Sequence, residues 1–506
     1  MSTRDDSAIE NGLPDGWEWS TLGDVCEKTQ YGWTTKANHE TGKLKLLRTT
    51  DITSGSVDWS SVPFCTEEPE DIEKYLVESG DILISRAGSV GVSFLIHKPE
   101  RAVFASYLIR FRPKSGIDTK YFYYYLKSAA YWEAIGASKS GIAVPNVNAS
   151  KLAQVPIPVA PFDQQKRIVA EIEKQFSRLD EAVANLKRVK ANLKRYKAAI
   201  LKAAVEGCLV KTEAELARKR TPSPLAGEGG GEGAGYETGE QLLQRILETR
   251  RSQWKGKGKY KEPAAPDTTN LPELPEGWVW VTWEMILAPE EGSFRRGPFG
   301  STLKKSIFVE LGHKVYEQYN AINDDPSFGR YYITDGKYKS MKAFAVRAKD
   351  FLISCSGTIG RITQVPEHFE SGIINQALLR VRTDKSVISD SYFLMLFRSP
   401  YFQRQILDNA QGAAMANVKG VVDLKAIPVP LPPIEDQMRI TLEVDRRLSL
   451  IREVESQVDT NLKRTKRLRQ SILAQAFSGK LFRHAIGKPE TTSLLSTVTG
   501  MHNTAA

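Results

Sequence analysis

One phrase is written twice in this chain. LPDGWEWSTLGDV begins at Leu13 and LPEGWVWVTWEMI at Leu274, 261 positions apart. More echoes follow in the same order. GDILISRAGSVG (80–91) returns as KDFLISCSGTIG (349–360), and KYFYYYLKSAAYW (120–132) as SYFLMLFRSPYF (391–402). VPNVNASKLAQVPIPVAPFDQQKRI (144–168) returns as MANVKGVVDLKAIPVPLPPIEDQMRI (415–440), and NLKRYKAAILKAAVEG (192–207) as NLKRTKRLRQSILAQAFSG (461–479), three residues longer. Ordered matches whose offset drifts only from 261 to 272 residues mark an internal duplication. Two copies are too few for a solenoid and point to two like globules with pseudo-two-fold symmetry.

Each copy has one grammar. A strand-rich globule carries an apolar run that ends in a Gly-punctuated turn, then an aromatic-rich helix candidate. A Pro-rich gate, VPIPVAP or IPVPLPP, stops the globule, because Pro disfavours both a sheet and the start of a helix one residue earlier. A long helix follows. Its apolar positions in copy one are Ile168, Ile172, Phe176, Leu179, Val183, Leu186, Val189, Leu193, Tyr196 and Ile200; in copy two they are Ile440, Val444, Leu448, Ile451, Val454, Val458, Leu462, Leu468 and Ile472. Steps of three and four make a coiled-coil seam. Asp163 stands where an N-cap belongs, and Gly207 and Gly479 where C-caps would end each helix. About 43 residues give a rod of roughly 65 Å. A lone amphipathic rod is poorly stable in water, so the two are expected to pair. Between the copies lie a Gly/Pro-rich connector (221–239), a short helix (240–254) and a basic tether, KGKGKYKEPAAP, long enough to return the chain along a rod. An antiparallel pair with a globule at each end then becomes possible. The expected class is α+β.

Composition narrows the function. The net charge is +10 and the pI about 9.1, which favours a polyanion partner. No apolar run approaches membrane-spanning length and the N-terminus has no secretory pattern, so no membrane association is expected. Cys26, Cys65, Cys208 and Cys355 form no C-x-x-C pair and read as free thiols of a reducing cytoplasm. The six histidines are scattered, so no metal site is expected. No phosphate-binding G-x-x-x-x-G-K-[ST], G-x-S-x-G or H-E-x-x-H occurs, and no amino-methyltransferase motif. The Asp335-x-Lys337 pair reads as a turn. A long chain without a reaction centre reads as a binding protein.

The copies disagree in one place: residues 26–79 do not align with 287–349. There the two halves should differ in task. These stretches mix Gly turns, Arg, Lys, Thr, Asn, Gln and aromatics, the side chains that contact phosphates and base edges. The candidate DNA-binding residues are Tyr31, Trp33, Thr34, Thr35, Lys36, Arg48, Thr49 and Thr50 in copy one. In copy two they are Arg295, Arg296, Ser301, Lys304, Lys305, Gln318, Asn320 and Asn323. The plainer alternative is a pair of polar surface loops. The rods carry acid-free basic runs at 186–202 and 460–483, which suit a helix C-terminus, nucleic acid or an acidic partner.

Together, the LPEGW-type openings, the GDIL-S--G--G turn, the P-P-PP--(E/D)Q---I gate and the long helix after each resemble the specificity subunit of type I restriction–modification systems, over about residues 13–483. The resemblance implies two target recognition domains, 13–160 and 271–432, each reading half of a split double-stranded DNA site. It implies spacer helices at 161–208 and 433–483 that form an antiparallel coiled coil, with 209–270 as linker and 1–12 and 484–506 as tails. It also implies docking of two modification (methyltransferase) subunits and then of restriction (motor-nuclease) subunits. Gln165 and Gln437, at the Gln of the gate motif, are the expected partner-binding residues. No cofactor is expected on this non-catalytic chain; S-adenosylmethionine, ATP and Mg would sit on the partners. The alternatives are a stand-alone DNA-modifying enzyme with unrecognised motifs and a coiled-coil nucleic-acid-binding adaptor.

Overall fold

The duplicated opening phrase and the Pro-rich gate turn out to be two halves of one small element. In a computed structural model describing residues 12–137, 147–220, 237–254, 259–299, 302–407 and 419–482, strand Glu18–Thr21 pairs antiparallel with Pro156–Val159, and Val279–Thr282 with Pro428–Leu431. The gate therefore does not stop the sheet; it is a strand. Pro156 and Pro158 are two residues apart and so face the same way, away from the partner strand, where a missing N–H breaks no ladder bond. Their outward carbonyls are taken by tyrosines: Tyr121 Oη donates to Pro158 O at 2.8 Å and Tyr125 Oη to Pro156 O at 2.5 Å. Tyr392 and Tyr401 do the same for Pro430 and Pro428, each at 3.0 Å.

The chain forms two compact units, one of residues 1–188 with 458–506 and the other of 189–457. Each contains a four-stranded antiparallel sheet. In the first its order is Gln30–Tyr31, Leu108–Phe111, Ile82–Ser85, Ser93–Leu95; in the second it is Phe294–Arg296, Leu378–Val381, Phe351–Ser354, Ile362–Gln364. Each also has a second sheet built on a parallel pair, Lys45–Leu47 with Ala102–Phe104 and His313–Tyr316 with Gly372–Ile374, four-stranded in the first unit and smaller, three-stranded, in the second. The Gly-punctuated turns need left-handed backbone at Gly88 and Gly91 (φ 73° and 85°) and again at Gly357 and Gly360 (65° and 72°). Each aromatic-rich stretch is two helices rather than one, Thr119–Tyr125 with Ala129–Ala137 and Asp390–Arg398 with Pro400–Ile406. Ser399 closes the third and, as N-cap, opens the fourth, its hydroxyl accepting Phe402 N–H at 3.2 Å.

The long helices run Phe162–Val205 and Ile434–Phe477, 44 residues each, so the second is not longer. Pro161 precedes the first, and Asp163 falls in its first turn rather than at the N-cap. Both end as expected on a left-handed glycine, Gly207 and Gly479, with Cys208 N–H reaching Ala203 O at 2.9 Å and Lys480 N–H reaching Gln475 O at 2.8 Å. In the first unit Ile168, Ile172, Phe176 and Leu179 share a core with Ile472, Leu473, Ala476 and Phe477. In the second, Leu193, Ile200 and Ala204 share one with Ile440, Val444, Leu448 and Ile451. The start of each helix thus packs on the end of the other, an antiparallel pairing. Four assigned seam residues lie outside it: Val189, Tyr196, Val454 and Leu468 are 39–50% exposed. Thr465 takes the seam position instead, completing the heptad Ile451, Val458, Thr465, Ile472 and turning its hydroxyl back onto Asn461 O at 2.8 Å.

The linker is more than a tether. Helix Gly239–Ser252 buries Leu242 and Ile246 in the second unit's core, and Asp436 accepts the Glu213 N–H at 2.9 Å. The Gly-rich connector itself (221–236) lies outside the described residues. Asp335 and Lys337 sit in a short helix, Asp335–Ser340, with Asp335 paired to Lys339 at 2.6 Å.

Candidate nucleic-acid interface

The segments that do not align in sequence do align in space. Gln30 and Tyr31 face Arg110 and Ile109 across the ladder; Arg295 and Arg296 face Arg380 and Leu379. Arg48 N-caps the helix Thr49–Ile52 that follows one parallel strand, and Glu317 N-caps Gln318–Ile322 after the other. The slots are the same although the residues differ.

One buried ion cluster holds the variable segment in each copy. Asp81 and Asp350, both 2% exposed, accept Arg112 Nε at 2.5 Å and Arg382 Nε at 2.7 Å. Beside them Arg110 donates to Leu76 O (2.8 Å), Lys74 O (3.0 Å) and Gln30 Oε1 (2.8 Å). Arg380 donates to Gly292 O (2.7 Å), Ala343 O (3.3 Å) and Ala345 O. Burial drives the Arg380 guanidinium down to about 10, helped by repulsion from Arg382 and opposed by Asp350. Backbone carbonyls are the chief targets, so the clamp tolerates changes in the side chains it holds.

Several candidates converge at one corner of each unit. In the first, Trp33 bridges to Ala105, whose N–H bonds Leu47 O at 2.9 Å just before Arg48. The Tyr31–Trp33 and Arg48–Thr50 segments are therefore neighbours. Gly32 has no room for a Cβ against the backbone of Phe104 and Ala105, and Gly297 none against Asn375. In the second unit Asn375 N–H bonds Tyr316 O at 2.9 Å, which brings Arg296 and Gln318 together in the same way, with Gln318 beside Gly357. Tyr31, Thr34, Lys36, Thr50 and Asn323 are exposed; Trp33, Thr49, Arg295, Arg296 and Gln318 are half-buried. Arg48 is engaged with Asp51 at 2.9 Å, and Thr35 Oγ1 accepts Glu67 N–H at 3.1 Å. Lys304 and Lys305 are exposed on a turn whose neighbours Leu303 and Ile307 pack on the smaller sheet. Ser301 lies outside the described residues.

Three candidates are corrected. Asn320 is fully buried, its Oδ1 accepting Glu317 N–H at 2.9 Å and its Nδ2 donating to Asp325 O (2.9 Å) and Phe328 O (2.8 Å), so it builds a loop and reads no base. Gln165 and Gln437 are likewise fully buried. Gln165 accepts Asp118 N–H at 2.8 Å and donates to Ala160 O (2.8 Å) and Gly116 O (3.1 Å). Gln437 accepts Ser389 N–H at 2.8 Å and donates to Val387 O (2.9 Å) and Pro432 O (3.0 Å). They lock each long helix to its globule and present nothing to a partner. Three residues of the corner were missed: Arg86, Tyr107 and Gln376, the last with its Cα 3.0 Å from where a Cβ on Gly297 would stand. Arg86 bonds through its N–H to Tyr107 O at 2.9 Å, and Tyr107 is 62% exposed. For Arg86 the signal was its mismatch with Cys355 in a turn motif that, after its first position, otherwise keeps identical residues or residues of like character.

This architecture has relatives. The type I restriction modification DNA specificity domain matches residues 14–195 and 300–452. The chain belongs to that family. It is 24% identical over 483 residues to the type I restriction enzyme EcoBI specificity subunit of Escherichia coli, covering 93% of this chain and 88% of the relative. It is 23% identical over 459 residues to a putative MjaX specificity subunit of Methanocaldococcus jannaschii, covering 88% and 91%. A chain from a solved structure describing complex assembly and conformational transition of a type I restriction–modification system shares the fold, with a TM-score of 0.60 at 18% identity over 93% of this chain and all of that one. No described helix is long and apolar enough to cross a membrane.

Proposed function

We propose that each unit reads one half of a bipartite double-stranded DNA site through the corner where Tyr31, Trp33 and Arg48–Thr50, or Arg296 and Gln318, converge. As a member of the specificity-subunit family the chain supplies sequence recognition rather than catalysis. The observation that carries the two-reader reading is a shared scaffold and clamp presenting different side chains in corresponding slots. Thr34, Lys36, Arg295, Lys304, Lys305 and Asn323 join this set as phosphate or base contacts.

The paired long helices set the spacing between the half-sites. Two modification subunits and, after them, motor-nuclease subunits dock on this chain and bring S-adenosylmethionine, ATP and Mg. The outer helix faces are unlike: Met438, Leu442 and Leu450 are 55%, 75% and 53% exposed on the second helix, where the first has Lys166, Ala170 and Arg178 at the same offsets. Subunits docking at the two corresponding places would meet different side chains at these positions. Exchanging residues 13–160 for the corresponding domain of a relative, in the full complex, is expected to change one half of the methylated motif and leave the other. Change in both halves, or in neither, would refute the two-reader arrangement.

A further inference from the structure

Two corresponding slots at the reading corner carry an exchange of residues between the copies. The first slot ends the short outer strand: Tyr31 in copy one, Arg296 in copy two. The second follows the central strand: Arg86 in copy one, Cys355 in copy two. The backbone is the same in both. Arg86 N–H bonds Tyr107 O at 2.9 Å and Cys355 N–H bonds Ala377 O at 2.8 Å; Gly32 N–H bonds Leu108 O at 3.2 Å and Gly297 N–H bonds Leu378 O at 2.8 Å. Each copy thus has one guanidinium at this place, rooted in a different strand.

Both guanidinium groups are held from one side. Arg86 lies over the Tyr31 ring, 4.9 Å from its centroid, and Tyr31 is itself pinned where its Oη accepts Ala149 N–H at 2.8 Å. Arg296 lies beside the buried Cys355 thiol, whose deprotonated form its charge favours, and 6.0 Å from the Phe299 ring. The Nε of each finds no acceptor among the described residues, although both are shielded from water. A cation packed over a ring keeps most of its in-plane N–H fork unspent and has its plane restricted. A phosphate contact needs only charge within reach. A fixed plane is what a bidentate contact to guanine O6 and N7 needs.

We propose that Arg86 and Arg296 are specificity-determining residues, each recognising one guanine in its half-site, and that moving the arginine between slots moves the guanine read. This rests on the two-reader function above. The test uses the full chain expressed with its modification subunits in a host lacking other methylation, and reads the methylated motif from host DNA. Arg86→Lys keeps the charge and loses the fork. It is expected to relax one guanine in one half-site, by ~10-fold or more in discrimination, and to leave the other half intact. Arg296→Lys is expected to do the converse. Arg86→Gln must relax the same base as Arg86→Lys. The double exchange Arg296→Tyr with Cys355→Arg, which installs copy one's pair in copy two, is expected to change the base preferred at that position. An unchanged motif in the Lys variants, relaxation at other bases, or a uniform fall in methylation at every site overturns the proposal. A parent complex whose motif is not bipartite refutes the two-reader function itself, which separates the two failures.

Discussion

In the first unit Arg110 grips the backbone at Lys74 and Leu76; in the second Arg380 grips Gly292, Ala343 and Ala345. The two arginines sit in corresponding strands beside corresponding aspartates, yet the segments they hold cannot be aligned in sequence. A clamp on carbonyls does not depend on which side chains the clamped loop carries. The comparison teaches how one scaffold presents unlike surfaces: the contacts that the two copies share are buried and reach the variable segments chiefly through backbone, and the differing residues gather at the corner beyond them.

The largest expected effect tests whether the clamps are equivalent. Asp350→Ala leaves Arg380 and Arg382 without their buried counter-ion and should cost about 3–5 kcal/mol in denaturant unfolding of the full chain. Asp81→Ala should fall in the same range, at its lower end, since Arg110 and Arg112 are somewhat more exposed. A cost below about 1 kcal/mol for either, the level of an ordinary surface pair, would mean that the copies are held differently.

A smaller effect tests the helix locks. Gln165→Leu and Gln437→Leu each strand one partly buried N–H and take the donor from two carbonyls, for a cost of about 2–3 kcal/mol. The three bonds match partner for partner, so the two costs should agree within about 1 kcal/mol. Both variants should still bind modification subunits at temperatures where they are folded. Selective loss of that binding would restore the glutamines as contact residues.

The smallest effect exploits a difference. Lys127 is half-buried, donating to Ser93 O at 2.6 Å over the Tyr123 ring, and burial holds its ammonium down to about 8. Copy two has Arg398 there, paired with Asp324 at 2.7 Å. The unfolded chain keeps the lysine proton up to its ordinary value near 10.4 and the folded chain releases it from about 8. Between these values the unfolded state binds more protons, so this group makes stability rise with pH. Buried thiols such as Cys355, pushed up to about 11, act oppositely above pH ~9, and comparison with Lys127→Arg cancels them. Thermal melting from pH 7.5 to 10.5 should show a more positive slope for the parent than for Lys127→Arg, by no more than a few degrees. Parallel curves would sink this account.

The sequence by itself determined the duplication, the apolar strand before each glycine turn, both helix ends at Gly207 and Gly479, and the family. Those are patterns along the chain, set by periodicity and by backbone that glycine alone adopts freely. It misread what depends on a partner remote in the chain. Alternating prolines form a strand because the opening phrase, over a hundred residues earlier, supplies the other half of the ladder. Thr465 serves a seam that apolar residues at 454 and 468 seemed to claim, because heptad register is set by the opposing helix. Gln165, Gln437 and Asn320 have polar side chains suited to recognition, and only the tertiary structure decided that their hydrogen bonds are spent inside. A side chain's chemistry is written in the sequence; whether it faces solvent is settled by what folds over it.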